Sequence, residues 1–217
     1  MEYASEDGKI SEMRVRVEYG KEGALIFISH LDLVRVWERL LRRTDLPLRF
    51  TEGFNPRVKM DFCPPLPMGV VGENEVMDFY LVKEVEIDEI KRRLKENAPD
   101  GMKIKRVRIT PENSPSLFSL TTHFEIEFFG KGIKSLNLKD LTITRVNKKG
   151  KKREFELERI ILLEEEKREG KRIIMKNEGI GLSDIVKFMK EKGLIDRVIR
   201  KNLLIDIGGR FVPLFGI

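Results

Sequence analysis

Residues that commonly hold metals or form cross-links are scarce in this sequence. Its 217 residues include one cysteine, Cys63, and two histidines, His30 and His123. One cysteine excludes a disulfide within the chain, a cysteine-based zinc site and an iron–sulfur cluster held by this chain alone. Two histidines also argue against a histidine-rich metal site. We therefore predict neither a bound metal nor another cofactor.

The sequence also lacks a long hydrophobic run. No stretch approaches the roughly 18 apolar residues that a membrane-spanning helix needs. The opening residues, MEYASEDGKISE, are polar and acidic, unlike a secretory signal peptide. We therefore predict a cytoplasmic protein with no membrane partner.

Charge, by contrast, is abundant in both signs. The chain has 42 Lys and Arg residues against 36 Asp and Glu residues, a net charge of +6, and it is 41% hydrophobic. This composition is typical of a globular protein with a heavily charged surface. A basic excess favours a polyanionic partner such as RNA. The same mixture of charges also fits an ordinary soluble surface.

The pattern of the first half predicts a strand, a helix, strands, a helix and a strand. Met13–Tyr19 alternates strictly, with Val15 and Val17 on one face, and ALIFIS is predicted to form a second short strand. Apolar residues at helical spacing follow Ser29, and a second helix and an alternating strand complete the unit. This split βαβ order predicts a ferredoxin-like domain over residues 13–110.

The second half is predicted to be β-rich with one main helix. Residues 111–120 are rich in Pro and Ser and are predicted to form a linker. REFELERIILLE is predicted to be one long strand, and Ser183 and Gly193 are predicted to cap the helix between them. The predicted fold class is α+β: a ferredoxin-like domain followed by a second, β-rich α+β domain over residues 121–217. Residues 1–12 are predicted to form a flexible tail.

The tetrapeptide SHLD is the first candidate for a functional motif. Ser29 is a good N-cap for the following helix, and Asp32 lies three residues later, at capping-box spacing. The first turn of a helix favours anions, so His30 there can act as a general base or contact a phosphate. The alternative is that Ser29 and Asp32 only cap the helix.

The segment GFNPR is the second candidate. Phe54 can stack on a base, Asn55 tolerates unusual backbone angles, and Arg57 with Lys59 can hold phosphates. The alternative is an ordinary wide loop with Phe54 buried. The CPPLPMG segment that follows lacks three backbone N–H groups, which predicts a stiff wall beside the loop. The basic run KKGKKR at 148–153 is either a contact for a nucleic-acid backbone or a solvated turn.

Together these motifs resemble a bacterial family of unknown function, the radical-SAM-linked family. Its pattern has Ser-His-Leu-Asp, an arginine-rich helix, Gly-Phe-Asn-Pro-Arg with a nearby Lys, a Leu-Pro-Leu-Gly-like segment and an acidic stretch. The resemblance is clearest over residues 14–110, and Arg200 stands where the pattern has an Arg-Thr pair. The matching residues are Ser29, His30, Leu31 and Asp32; Gly53, Phe54, Asn55, Pro56, Arg57 and Lys59; Leu66, Pro67 and Gly69; and Glu75 and Asp78.

The resemblance implies a context rather than a reaction. Members of the family are found joined to, or beside, a radical SAM protein, so the expected partner is a radical SAM protein. Because one cysteine cannot hold the cluster of such an enzyme, the chain is expected to be a non-catalytic module that binds RNA or a ribosomal component. Two alternatives are a metal-independent RNA-processing or RNA-modifying enzyme using His30, and a binder of small molecules or peptides.

The candidate binding residues are expected to converge on one cleft, because two polar motifs flank one helix and one rigid loop. Any catalytic role would fall to His30. The predicted binding residues are Ser29, His30, Asp32, Phe54, Asn55, Arg57 and Lys59.

Overall fold

A computed structural model describes residues 12–146, 150–178 and 180–217. These residues form a mixed α+β structure; the predicted tail lies outside them except for Glu12. The helices are α1 (His30–Arg43), α2 (Ile87–Asn97), α3 (Leu117–Leu120) and α4 (Leu182–Glu191). The strands are β1 (Met13–Lys21), β2 (Met60–Phe62), β3 (Val71–Leu81), β4 (Met102–Thr110), β5 (His123–Phe129), β6 (Thr142–Val146), β7 (Lys152–Glu156), β8 (Ile161–Lys167), β9 (Gly170–Lys176), β10 (Arg197–Ile207) and β11 (Arg210–Pro213).

One nine-stranded sheet runs through both halves of the chain. Its main order is β4-β1-β3-β10-β5-β9-β8, while β2 pairs with β3 and β11 pairs with β10. Neighbouring strands are antiparallel except for β3 and β10, which are parallel. The β3–β10 pair is therefore the joint at which the two halves share their sheet. Strands β6 and β7 form a separate two-stranded sheet.

Strand β1 is buried on both faces. Val15, Val17 and Tyr19 pack into the apolar cluster beneath α1 and α2, as the alternating pattern predicts for one face. The other face carries Arg14 and Arg16, whose guanidinium Nε atoms lie 2.7 and 2.9 Å from the Asp78 carboxylate. Because Asp78 pairs with both arginines and Asp61 lies 3.4 Å from Arg14, two carboxylates balance the two arginine charges on this covered polar face.

Helix α1 follows the pattern predicted from its sequence. Leu33, Trp37, Leu40 and Leu41 are buried on one face at helical spacing. The helix ends at Arg43, and Asp45 then adopts a left-handed backbone with φ of 53°. None of the helices in the described ranges combines the length and hydropathy needed to cross a bilayer.

Three predicted elements of the sequence differ in the structure. ALIFIS is not a strand: Gly23–Phe27 is a 3-10 helix, and the Ile28 N–H bonds to the Leu25 carbonyl instead of a neighbouring strand. REFELERIILLE is not one strand, because the 3-10 turn Leu157–Arg159 separates β7 from β8 and buries Leu157. The cap of α4 is Gly181, so Ser183 lies inside that helix.

The hydrophobic core consists of two clusters, which do not divide at the predicted linker. One cluster lies between β1 and the helices α1 and α2. The other fills the second half but also contains Cys63, Leu66, Val70 and Val76 from the first half. The linker contributes α3, with Leu117 buried in the second cluster. The segment that begins at Cys63 is therefore part of the packing between the halves, and the division into domains stays a prediction.

Candidate functional site

The N-terminus of α1 is capped as its sequence predicts. The Ser29 hydroxyl accepts a hydrogen bond from the Asp32 N–H at 3.2 Å and donates one to the Asp32 carboxylate at 2.7 Å. Arg35 donates to the other carboxylate oxygen at 2.8 Å. The hydrogen bonds from Ser29 and then Arg35 hold the pKa of Asp32 below its usual value. Ser29 and Asp32 thus stabilise the helix end, and the carboxylate is already engaged.

His30 is the first residue of α1 and is half-buried. Its ring meets the Phe62 ring nearly edge to face, with centroids 5.6 Å apart. Burial, followed by the positive charges of Lys21 and Arg200, lowers the pKa of His30 below its ordinary value, and Glu75 opposes this shift. The imidazole is therefore neutral at neutral pH and has one N–H donor and one acceptor.

Behind His30 lies a buried group of charged side chains contributed by three strands. Lys21 at the end of β1, Glu75 in β3 and Arg200 in β10 are 1%, 4% and 1% exposed. The Arg200 guanidinium makes a two-pronged pair with Glu75, including an Nε contact of 2.8 Å. We call Lys21, Glu75 and Arg200 the buried ion cluster.

The proline-rich segment forms one wall of this cluster. Arg200 donates hydrogen bonds to the carbonyls of Pro64, at 3.0 Å, and Pro65, at 3.4 Å. All described peptide bonds are trans, including those before Pro64, Pro65 and Pro67. Prolines lack an N–H but keep their carbonyls, so this segment offers acceptors to a buried cation without requiring a strand partner.

A glycine leaves room for the Glu75 side chain. Gly72 pairs with Lys21 across β1 and β3 and with Arg200 across β3 and β10. A Cβ atom at Gly72 would lie 2.5 Å from Glu75 Cγ, closer than such atoms approach one another. The absence of a side chain at Gly72 therefore leaves the space through which the Glu75 carboxylate reaches Arg200.

Lys21 is weakly satisfied for a buried ammonium group. Its Nζ atom donates to the Ile28 carbonyl at 3.4 Å, two residues before α1 begins. Within the described ranges, no carboxylate forms an ion pair with it, because Glu75 is paired with Arg200. Burial lowers the pKa of Lys21, Glu75 raises it, and Arg200 lowers it further. The cluster thus holds two cations and one anion.

Two further ionisable side chains beside the cluster are uncharged. Burial is the main cause that raises the pKa of Tyr19 and of the Cys63 thiol, and Glu75 raises both further. A buried thiol with a raised pKa is a poor nucleophile. Cys63 therefore acts in packing, and the described residues contain no cluster of His, Cys, Asp and Glu suited to a metal ion.

GFNPR forms the tip of an exposed hairpin between Phe50 and Val58. These two residues form an isolated β-bridge, and the Thr51 N–H bonds to the Arg57 carbonyl at 2.8 Å. Every residue from 51 to 57 is exposed, and Phe54 is exposed completely. The alternative expectation of a buried Phe54 is therefore excluded.

The hairpin residues differ in how far their side chains are engaged. Lys59 pairs with Glu12 at 2.5 Å and lies over the Tyr80 ring, 4.3 Å from its centroid. In the described part of the chain, the side chains of Asn55 and Arg57 form no ion pair or hydrogen bond. Arg57 is thus a freely exposed cation next to Phe54, whereas Lys59 already has partners.

Within the described residues, the structure shows no contact between SHLD and GFNPR, and their convergence on a single cleft stays a prediction. Lys59 pairs with Glu12, just before β1 begins, whereas Lys21, which reaches the start of α1, is the last residue of β1. These two ends of β1 are about 26 Å apart, although the ring of Phe62, three residues after Lys59, lies 5.6 Å from the ring of His30.

The outer face of α1 connects the two motifs. Arg35, Arg39 and Arg42 are exposed and lie at helical spacing on one stripe. The Arg42 guanidinium lies over the Phe50 ring, 5.1 Å from its centroid, at the base of the hairpin. We call the exposed set of arginines and hairpin residues the helix–hairpin surface. It consists of Arg35, Arg39, Arg42, Phe54 and Arg57.

The sequence interpretation missed the role of Lys21. The predicted alternation stopped at Tyr19, although Val15, Val17, Tyr19 and Lys21 continue one alternating face. Glu75 and Arg200 were noticed only as matches to a family pattern, with no function assigned. The basic run at 148–153 is partly outside the described residues, which include neither Lys148 nor Lys149.

Sheet, helices and site together define a mixed α+β protein with a buried ion cluster at the joint between its halves. The chain belongs to the family described as "uncharacterized protein conserved in bacteria" (DUF2344), whose model matches residues 14–187. The match includes all the predicted binding residues, while Arg200 lies beyond it. A comparison with curated proteins finds no match.

Proposed function

We propose that this protein is a non-catalytic module that binds RNA, as a free strand or as part of a ribosomal component. The observation that carries the proposal is the completely exposed ring of Phe54 at the hairpin tip. A large apolar ring gains nothing from water contact, and bases stack on aromatic rings for about 1 to 3 kcal/mol each. Arg57, three residues away, supplies a cation for the phosphates on either side of a stacked base.

The arginines of α1 extend this surface along the helix. Arg35 and Arg42 each have one acidic neighbour, at 2.8 and 2.9 Å, whereas Arg39 has no ion pair within the described ranges. Exposed pairs of this kind contribute little stability and are easily exchanged for phosphate contacts. The stripe spans about 10 Å of helix between Arg35 and Arg42, which suits a few successive phosphates of a strand.

The strand order supports a finer assignment of the fold. We propose that residues 13–110 form a ferredoxin-like unit, because β4, β1, β3 and β2 occur in that order with antiparallel neighbours. The two helices connect the strands as a split βαβ arrangement requires. Many proteins with this topology differ in function, so the fold supports the RNA proposal only by analogy.

The partner and the location are also proposals. We propose a radical SAM protein as the partner, supported by the resemblance of SHLD and GFNPR to the radical-SAM-linked pattern, and a cytoplasmic location, supported by the lack of a long apolar run in the sequence. Affinity purification of the tagged chain from cells tests the partnership. Recovery of a radical SAM protein with the wild-type chain supports it, and its repeated absence contradicts it.

An RNA-acting enzyme that uses His30 is the rival function. His30 is neutral at neutral pH, as a general base must be, but the Asp32 carboxylate is held by Ser29 and Arg35. Incubation of the purified protein with RNA in the presence of a chelator separates the two functions. Turnover that His30→Ala abolishes establishes an enzyme, and the module hypothesis expects none.

Fluorescence anisotropy with a labelled single-stranded RNA tests the proposed surface. We expect Phe54→Ala to weaken binding by about 1 to 3 kcal/mol, with Phe54→Tyr close to wild type because it keeps the ring. Arg57→Ala should make the plot of log affinity against log salt less steep by about 0.7. Adding Lys59→Ala should reduce the steepness by a smaller further amount, because Lys59 is already paired with Glu12.

Arg159→Ala is the matched control for loss of one positive charge. Arg159 is 78% exposed and pairs with Glu156 in the second half of the chain, away from the helix–hairpin surface. Its substitution should leave the affinity and the salt slope unchanged. Equal weakening by Arg159→Ala and Arg57→Ala would show that only the net charge matters and would contradict the proposed surface.

A further inference from the structure

We propose that Lys21, His30 and the N-terminus of α1 form a second binding site, which holds the phosphate or carboxylate group of a small ligand. This site lies at the opposite end of β1 from the hairpin tip, so it does not depend on RNA binding by the helix–hairpin surface. The argument rests on the charge balance of the buried ion cluster, on the donors around the helix start and on the apolar side chains nearby.

Among the residues that the structure describes, the charge balance leaves the buried Lys21 ammonium without a carboxylate partner. Glu75 is paired with Arg200, which also donates to two proline carbonyls. Asp32, the nearest carboxylate on α1, is turned towards Ser29 and Arg35. Lys21 is 1% exposed, and within the described part of the chain its ammonium has a single hydrogen bond, of 3.4 Å, to the Ile28 carbonyl. A buried ammonium costs several kcal/mol unless an anion accompanies it.

The donors around Lys21 converge on the start of α1. The Ser29 hydroxyl accepts a hydrogen bond from the Asp32 N–H. The N–H groups of His30 and Leu31 have no acceptor inside the helix. These N–H groups and the positive end of the helix dipole favour an anion. Lys21 reaches this end of α1 through its contact with Ile28. An oxyanion at the first turn could therefore accept from backbone, ammonium and imidazole donors together.

The segments around the helix start also expose three large apolar side chains. Phe27, Leu31 and Met68 are 67%, 69% and 60% exposed. Phe27 and Leu31 lie on either side of the cap, and the Gly69 N–H bonds to the Ile26 carbonyl at 2.7 Å, which brings the Met68 segment beside them. A ligand with an oxyanion group and an apolar body fits such a site better than a bare inorganic ion.

Two-dimensional NMR of the purified full-length protein tests the site. Inorganic phosphate, phenyl phosphate, acetate and benzoate are titrated at constant ionic strength set with chloride, and the amides of His30 and Leu31 are followed. We expect saturable shifts with at least one oxyanion class and tighter binding of the aromatic member of that class. Comparing phosphates with carboxylates identifies which group the site prefers.

Lys21→Met removes the buried charge but keeps the apolar stem, and Lys103→Met is its exposed control. We expect Lys21→Met to weaken binding about tenfold or more, because the variant loses a charged hydrogen-bond donor. Lys103, 64% exposed and paired with Glu22, should be replaceable without effect. Phe54→Ala should also bind the oxyanion normally, which separates this site from the RNA surface.

A measurement on the wild-type protein guards against a variant that fails to fold. Saturation with the bound oxyanion should raise the pKa of the His30 ring, because the anion offsets the positive charges of Lys21 and Arg200. Absence of saturable shifts at His30 and Leu31 with all four compounds overturns the proposal. Equal affinity of wild type and a folded Lys21→Met variant overturns it as well.

Discussion

At the scale of single residues, Lys21 is the most informative side chain. Burial lowers the pKa of its ammonium from the ordinary value of 10.5. The unfolded chain binds this proton more tightly than the folded protein does, so protonation of Lys21 lowers the free energy of unfolding. The penalty is complete below the folded pKa and disappears as the pH rises towards 10.5. Such a cost is typical of a functional site rather than of a residue selected for stability.

Lys21→Met should consequently raise the free energy of unfolding at pH 7. The gain over wild type should shrink as the pH is raised from 7 to 10, because the wild-type ammonium then loses its proton. Urea unfolding of both proteins at several pH values measures the difference, with Lys103→Met as the control. A variant less stable than wild type at pH 7 would show that the ammonium has a stabilising partner.

His30 supplies a prediction with pH dependence near neutrality. Burial is the largest cause of its lowered pKa, followed by the charges of Lys21 and Arg200, while Glu75 opposes the shift. Because the folded pKa is lowered, stability is complete above the ordinary value of 6.5 and is lost as the pH falls below it.

Replacement of His30 by Gln should remove this dependence. We expect wild type to lose more stability than His30→Gln between pH 7 and 5, measured by urea unfolding, and the ring to titrate below pH 6.5 in an NMR experiment. In Lys21→Met the ring pKa should rise, because one repelling charge is gone. A wild-type ring that titrates above 6.5 would contradict the arrangement of charges around it.

Local residue patterns predicted the helix start but not the ion cluster behind it. Ser29 and Asp32 lie three residues apart, and the capping hydrogen bond joins them as that spacing requires. Arg200, by contrast, pairs with Glu75 and with the carbonyl of Pro64, residues more than one hundred positions away. No local periodicity contains that information, since the contacts depend on which strands become neighbours.

At the scale of elements, the cap of α1 is a feature that a substitution can test separately from the site. Ser29→Ala should lower the free energy of unfolding by about 0.5 to 2 kcal/mol, because the Asp32 N–H loses its acceptor. Ser29→Thr keeps the hydroxyl and should retain most of the stability. Chemical denaturation measures both, and an unchanged Ser29→Ala would mean that Asp32 or water replaces the cap.

Element types were predictable where the apolar pattern was long and not where it was short. The stripe of α1 and the alternation of β1 extend over several turns or residues and were recognised correctly. The apolar run in ALIFIS is short, so it is as compatible with a 3-10 helix as with a strand. The sequence did not predict the turn Leu157–Arg159, because its buried Leu157 continues the apolar pattern of a strand.

At the scale of the whole molecule, β3 and β10 determine how the two halves are joined. The sequence predicts two units and a linker. The residue patterns of β3 and β10 do not predict that these strands pair in parallel. The pairing places Gly72 opposite Arg200, and the Glu75 side chain passes Gly72 to reach the guanidinium. One buried ion pair therefore spans the joint and also fixes the proline-rich wall. Cys63, Leu66 and Val70 then pack with the second half. The two halves should therefore unfold together.

Arg200→Met tests this coupling. The variant leaves the Glu75 carboxylate buried without its cation, which should cost about 3 to 5 kcal/mol. Arg197→Met is the matched control, since Arg197 lies on the same strand but is exposed and stacks on Phe129, 4.3 Å from the ring centroid. Combining Arg200→Met with Glu75→Leu should recover part of the loss, because Glu75 is then no longer buried without Arg200, although Lys21 still lacks a carboxylate and the carbonyls of Pro64 and Pro65 stay without their donor.

Two spectroscopic probes can show whether the pairing of β3 with β10 makes the two halves unfold cooperatively. Trp37, the single tryptophan, is fully buried against Tyr19 in the first half, whereas far-UV circular dichroism senses the whole sheet. In wild type the two urea transitions should coincide, as a single cooperative unit requires. In Arg200→Met they should separate, because the ion pair that ties β3 to β10 is lost while each half keeps its own apolar cluster. Coincident transitions in a destabilised Arg200→Met would assign the coupling to the shared apolar core around Cys63 and Leu66 instead.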